Sequence, residues 1–195
     1  MGRTLVVDSS SIRDFLKFYI FDKLGDKEVY SKLTNFLMLK IESKEIIVID
    51  KVNNEIYDTK YTHGFKEAIK PFIVKTVFLF DKVQDLIMNN RREDVIRIKG
   101  YSEQEIEQIL KEYEEKHADL YLIAYCNYMK ENNTTPILIT EETFSDDKKI
   151  IEKIPTICKK ENIAFQKVPY ALFEIYKDEL KFHLDVKNIK NILEK

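Results

Sequence analysis

Glycine and proline are scarce, with four of each in 195 residues. That scarcity excludes collagen-like repeats, a disordered low-complexity chain and glycine-rich phosphate loops in bulk. Cysteine is scarcer still. Cys126 and Cys158 each lie in an apolar setting and match no metal-ligand spacing, so two free thiols in a reducing cytoplasm are expected. Histidine occurs three times. His63 and His183 have no partner at ligand spacing, and His117, just ahead of a helical pattern, reads as a packing or capping residue. No apolar run approaches the length that crosses a bilayer. Met1-Gly2-Arg3 leads directly into the first strand, so neither a signal peptide nor a membrane partner is expected. Excess charge of one sign is missing as well. Thirty-two Lys and Arg against 34 Asp and Glu give a net charge of −2, so a nucleic-acid partner must be argued locally.

What is present is a 44% apolar chain with 34% charged residues, enough for one covered core under a well-solvated surface. Thr4-Leu5-Val6-Val7 is a buried strand that ends in Asp8-Ser9-Ser10-Ser11, and a helical pattern follows over 11–24. A second helix is expected over 28–42, and Glu45-Ile46-Ile47-Val48-Ile49 has strand composition. Asp50 to Ile56 then reads as an acidic helix start. Residues 61–117 form a helical insert of undetermined path. In it Pro71 marks a break or the first turn of a new helix, Asn89 to Asp94 a polar turn, and Ser102 with Glu105 a capping box. From Ala118 to Cys126 the chain is apolar almost all round, which marks a central helix with Asp119 in its first turn. Pro136-Ile137-Leu138-Ile139 is another buried strand, ending in Thr140-Glu141-Glu142. Ile150 to Lys160 is expected to be broken at Pro155. Ile163 to Val168 is the last strand candidate, and Pro169 opens a helix. Residues 1–180 make one domain and 181–195 an amphipathic C-terminal helix. Strands alternating with helices imply an α/β fold: a mostly parallel sheet covered on both faces.

Acids recur at the ends of these strands. Asp8, Glu55 and Glu142 lie at or beside strand tips, the positions where open α/β sheets build their sites, and Asp119 opens the most buried helix. A lone Asp-Ser after a strand is explained by helix capping, with Asp8 or one of the serines as the cap. Four acids brought to one place are not so explained, because like charges raise one another's pKa. A divalent cation relieves that cost, and hard oxygen donors suit Mg2+ or Mn2+. Such clusters support metal-assisted phosphoryl transfer.

Asp8-Ser9-Ser10 after its strand, Ala118-Asp119-Leu120-Tyr121-Leu122-Ile123-Ala124 and Ile137-Leu138-Ile139-Thr140-Glu141-Glu142 together resemble the PIN-domain nucleases. That group includes the VapC-type toxins of bacterial toxin–antitoxin pairs. The stretch from Ala118 to Lys160 is most similar to a poorly characterised bacterial PIN-like family. The resemblance covers about 4–58 and 117–175 and does not extend to the insert between them. It implies a three-layer PIN-like fold and a ribonuclease that uses Mg2+ or Mn2+ to hydrolyse RNA, leaving a 5′-phosphate. It further implies that Asp8, Asp119 and Glu142 bind the metal, with Glu142 standing where many relatives have Asp. Glu55 is the choice for the family's second acid, with Asp50 as its rival. Asp146 is a further candidate ligand, and Ser10 and Thr140 resemble hydroxyls that hold the carboxylates in place.

Arg91, Arg92, Arg97 and Lys99 could line an edge that tracks RNA phosphates, but Glu93 and Asp94 among them fit a solvated turn equally. The tyrosines of 121–128 read as core rather than a base-stacking platform. The resemblance also suggests a toxin or defence nuclease restrained by an antitoxin-like protein, and a homodimer is among the assemblies it admits. Two other readings compete with it. One is a non-catalytic PIN-like scaffold that binds RNA or protein. The other is a metal-dependent enzyme acting on DNA or on small phosphate esters.

Overall fold

The computed structural model describes residues 3–16, 27–57, 59, 62–144, 148–176 and 179. Four strands, β1 (Thr4–Val7), β2 (Ile46–Ile47), β3 (Pro136–Ile139) and β4 (Ala164–Gln166), make one all-parallel sheet in the order β2-β1-β3-β4. The chain leaves β1 toward one side, to β2, and then returns past it to β3. That reversal places a crevice at the C-terminal ends of β1 and β3. Leu5 is in register with Ile46 and Ile137, and Val7 with Ile139.

Alternation along the strands feeds two apolar layers. Leu5, Val7, Ile46 and Ile139 face Ser11, Ile12 and Phe15 at the start of the chain, Leu37 of α2 (Lys27–Glu42) and Val168 and Ala171 of α10 (Val168–Tyr176). Ser11 and Ile12 belong to α1 (Ser9–Asp14). The opposite face packs on α8 (Ala118–Glu131), which touches both β1 and β3. The fold is a three-layer α/β sandwich with its parallel sheet in the middle. Because α8 is itself covered by α3 (Asp50–Glu55), α5 (Phe80–Asn90), α7 (Glu103–Glu115) and α9 (Ile154–Lys160), Leu120, Tyr121, Leu122, Ile123, Ala124, Tyr125 and Cys126 are all buried. The tyrosines at 121 and 125 are core, as their surroundings predict, but Tyr128, at the far end of that stretch, is exposed.

The insert resolves into separate helices. His63–Ile69 is α4, followed by 3-10 turns at Lys70–Phe72, with Pro71 inside the first, and at Val77–Leu79. Then come α5, α6 (Glu93–Lys99) and α7. Gly100 closes α6 at φ 65°, the left-handed position that glycine adopts without a Cβ penalty. Ser102 caps α7 in the expected capping box: its hydroxyl accepts from Glu105 N, and the Glu105 carboxylate accepts from Ser102 N at 2.8 Å. Ser102→Ala should therefore cost about 1 kcal/mol, read as a lower urea midpoint at unchanged slope.

Three expectations change. The helix expected from residue 11 starts at Ser9, with Asp8 as its cap. Pro155 does not break a helix but sits in the first turn of α9, where its missing N–H costs nothing. The strand expected over 45–49 is two residues long. Val48 and Ile49 instead pair with Val74, through Val74 N to Val48 O at 3.0 Å and Asp50 N to Val74 O at 2.9 Å. The later part of the helix expected over 11–24, the C-terminal helix at 181–195, His183 and Asp146 lie outside the described residues. Among the described residues no helix is long and apolar enough to cross a membrane.

Candidate functional site

Asp8 leaves the end of β1 and is 4% exposed. Its backbone N–H donates to Ile139 O at 3.0 Å, tying it to the end of β3. Its carboxylate accepts from Ser11 N at 2.6 Å and from Ser10 Oγ at 3.1 and 3.0 Å on its two oxygens, with a further hydrogen bond to the Thr140 side chain. Burial raises the Asp8 pKa, and these hydrogen bonds work against the rise. Thr140, the residue after β3, is buried and also accepts from Glu142 N at 3.1 Å. Ser10 and Thr140 thus both hydrogen-bond the Asp8 carboxylate.

Glu55, the last residue of α3, reaches across to two other helices. Its Oε2 accepts from Ser9 Oγ at 2.7 Å and its Oε1 from Ala118 N, the first amide of α8, at 2.8 Å. Glu142 Oε2 accepts from Ile154 N, the first amide of α9, at 3.1 Å. Glu141 does the same for α10, accepting from Val168 N at 2.9 Å. Free N–H groups at a helix N-terminus favour negative charge, so the helix starts at this edge of the sheet each hold an acid.

Asp119, half-buried in the first turn of α8, stands among them. Its pKa is pushed up to about 7, first by burial and then by the facing charges of Glu142, Glu55 and Asp8, with Lys149 pulling the other way. The four acids singled out in the sequence therefore come to one place from four different elements. Asp50 does not join them. Its Oδ1 accepts from Thr76 Oγ1 at 2.6 Å and from Lys51 N at 3.0 Å, at the start of α3.

The basic residues behave differently. Arg91 pairs with Glu93 at 2.7 Å and Arg92 with Asp94 at 3.1 Å, while the Lys99 ammonium lies 5.7 Å from the Tyr101 ring. Arg97 is in the last turn of α6. The corner between α5 and α6 is thus a turn whose charges partner one another, joined by Arg92 N to Ile150 O at 2.7 Å to the segment before α9. His117 stacks on Tyr113, with centroids 4.5 Å apart, and makes no side-chain cap. Cys126 and Cys158 are buried free thiols, and burial pushes the Cys158 thiol up to about 12.

Sequence reasoning missed Ser9 as the partner of Glu55, Glu141 as a cap, and Lys149 as the cation facing Asp119. A run of three serines after a strand was the only signal for the first, and Lys149 gave none. Among the described residues no group of three His, Cys, Asp or Glu is arranged to hold a metal ion. Both Glu55 oxygens and one of Glu142 accept hydrogen bonds from amides and a hydroxyl. No curated protein and no solved structure matches this chain. A family model described as a domain of unknown function, DUF4411, matches residues 26–175, which takes in Glu55, Asp119 and Glu142 but starts after Asp8, and the chain belongs to that family.

Proposed function

We propose that the acidic crevice is the active site of a PIN-like ribonuclease that hydrolyses RNA phosphodiester bonds with Mg2+ or Mn2+. One observation carries the reading. Asp119 faces acids from the ends of β1 and β3 and from α3, and burial, with their charges added to it, raises its pKa to about 7. A fold gains nothing from such repulsion by itself, so perturbed acids in a cleft are candidates for function. The donor set fits a hard divalent cation, since it consists of carboxylates with no thiolate or imidazole among them. Asp8, Glu55, Asp119 and Glu142 would hold the ion, and Asp146 stays a candidate. Bound there, the cation would let the acids ionise together, polarise the scissile phosphate and lower the pKa of the attacking water.

The chain's own residues supply the rest. Ser10, Thr140 and Ser11 N fix the orientation of the Asp8 carboxylate, so little reorganisation is needed when a ligand arrives. Lys149, facing Asp119, is placed to meet phosphate charge. The amides that hold Glu55 and Glu142 keep both side chains at the crevice. We place the protein in the cytoplasm, in keeping with two free thiols, and the family resemblance extends the proposal to a toxin or defence nuclease with a protein partner, or a homodimer.

The test is cleavage of labelled single-stranded and structured RNA with Mn2+, Mg2+ or EDTA. Wild type is run beside Asp8→Asn and Asp119→Asn, with folding checked by circular dichroism. Cleavage that needs the metal and falls at least about 100-fold in both folded variants supports the reading. Cleavage at equal rates in all three proteins ends it. The scaffold reading has its own supporting observation, the engagement of Glu55 and Glu142 with helix amides. RNA binding without cleavage by any of the three would favour it, and equal cutting of DNA would move the substrate assignment.

A further inference from the structure

The segments that carry Ser9 and Glu55 meet a second time, beyond the acids. Arg13 follows Ser9 by four residues on α1, about 6 Å further along the helix axis and on nearly the same face. Tyr57 follows Glu55 by two residues. The Arg13 guanidinium lies over the Tyr57 ring, 5.9 Å from its centroid, within cation–π range. Arg13 Nε is buried and has no hydrogen-bond partner among the described residues. Tyr57 is 70% exposed although Arg13 lies against it, so most of the ring is open to solvent. Its backbone is fixed nonetheless. Tyr57 O accepts from Thr62 Oγ1 at 2.5 Å, the Thr62 hydroxyl is buried, and Ile56 O accepts from Lys66 Nζ at 2.7 Å.

An open aromatic ring on a fixed backbone, with a guanidinium against it, has no role in the core. The geometry points to Tyr57 and Arg13 as a nucleotide subsite beside the acids, where the ring stacks on the base next to the scissile phosphate and Arg13 takes that nucleotide's phosphate. The inference rests on the nuclease reading and specifies how the RNA strand is held. Stacking on an aromatic face accepts any base, and a guanidinium offers a planar fork to phosphate oxygens. The expected substrate is therefore single-stranded RNA with little sequence preference at this position.

Wild type, Tyr57→Ala, Tyr57→Phe and Arg13→Gln are compared in two assays, after thermal melts show that each is folded. One is steady-state cleavage of a short single-stranded RNA. The other is anisotropy of the same labelled RNA in EDTA, where it stays uncut. Tyr57→Ala should raise both KM and Kd about tenfold with kcat nearly unchanged, and Tyr57→Phe should behave as wild type. Arg13→Gln should weaken binding and flatten its dependence on salt by about one phosphate contact. If wild type cuts RNA and Tyr57→Ala and Arg13→Gln do so with unchanged KM and Kd, the subsite is overturned while the nuclease stands. Equal losses in Tyr57→Ala and Tyr57→Phe would also overturn it, since stacking needs the ring and not the hydroxyl. A wild type that neither binds nor cuts RNA removes both.

Discussion

Asp119→Asn is expected to make the metal-free protein more stable above about pH 7 and to leave its stability near pH 4 almost unchanged. The folded protein raises the Asp119 pKa from 3.8 to about 7, through burial and the charges of Glu142, Glu55 and Asp8. Well below pH 4 the group is protonated whether the chain is folded or unfolded, so it has no effect on stability. Between about 4 and 7 the native state holds the proton more tightly than the unfolded chain, and stability falls as pH rises. Above 7 the full cost of ionising the folded form is present. At 1.36 kcal/mol per pH unit that cost is about 2–4 kcal/mol, once relaxation of the crevice is allowed for. Asn keeps the shape and removes the charge, so at pH 8 in EDTA the variant should melt roughly 5–10 °C above wild type.

The same reasoning fixes what the cation does. Added Mg2+ or Mn2+ binds the folded state only and should raise the melting temperature of wild type at pH 8, since ligand binding stabilises by mass action. In Asp119→Asn the rise should be small, because both the repulsion and one ligand are gone. A stabilised protein that has lost cleavage is the pattern expected of a group kept for function at the expense of the fold. Melting temperatures of the two proteins that coincide from pH 5 to 8 would show that Asp119 is not the strained acid.

The sequence made most of this legible for identifiable reasons. The strands β1 and β3 are short apolar runs bounded by polar residues, and α8 is apolar almost all round from Leu120 to Cys126. Both patterns are local, and both were read correctly. Asp8 and Glu142 were visible because each follows such a strand, and Asp119 because it opens such a helix. Which of Asp50 and Glu55 lies beside Asp119 could not be read locally. It depends on α3 being six residues long, which carries Glu55 to the start of α8, 63 positions away, and leaves Asp50 facing Thr76. For the same reason the path of 61–117 was hidden although its helices were evident, since helical period says which face is buried but not against what. Arg13 and Tyr57 were not singled out, because an Arg on a helix and a Tyr after one are ordinary until the fold brings them together.

Glu55 separates the structural from the chemical contribution of this crevice, because two substitutions affect the two differently. Its carboxylate accepts one hydrogen bond from Ser9 Oγ and one from Ala118 N, so it joins α1, α3 and α8. Ala118 is 1% exposed, and removing the acceptor leaves its N–H without its hydrogen-bond partner. Hydrogen bonds to a charged partner contribute about 1.5–3 kcal/mol each, and a buried orphan donor costs a similar amount. Against that loss stands the relief of Asp119, which no longer faces the Glu55 charge. Glu142 and burial rank above Glu55 among the causes of the Asp119 shift, so the relief is the smaller term. Glu55→Ala should therefore destabilise the protein by about 2 kcal/mol at pH 8. In Glu55→Gln the amide oxygen still accepts from Ala118 N, and the Ser9 hydroxyl can turn to accept from the new NH2. The charge is gone but the joint remains, so its stability should match wild type within about 0.5 kcal/mol or exceed it. Both variants should lose RNA cleavage, because neither offers a carboxylate to the cation. Urea denaturation of the three proteins, run beside the cleavage assay, checks this. Full activity in Glu55→Gln would reduce Glu55 to a joint between helices and leave Asp8, Asp119 and Glu142 to hold the ion.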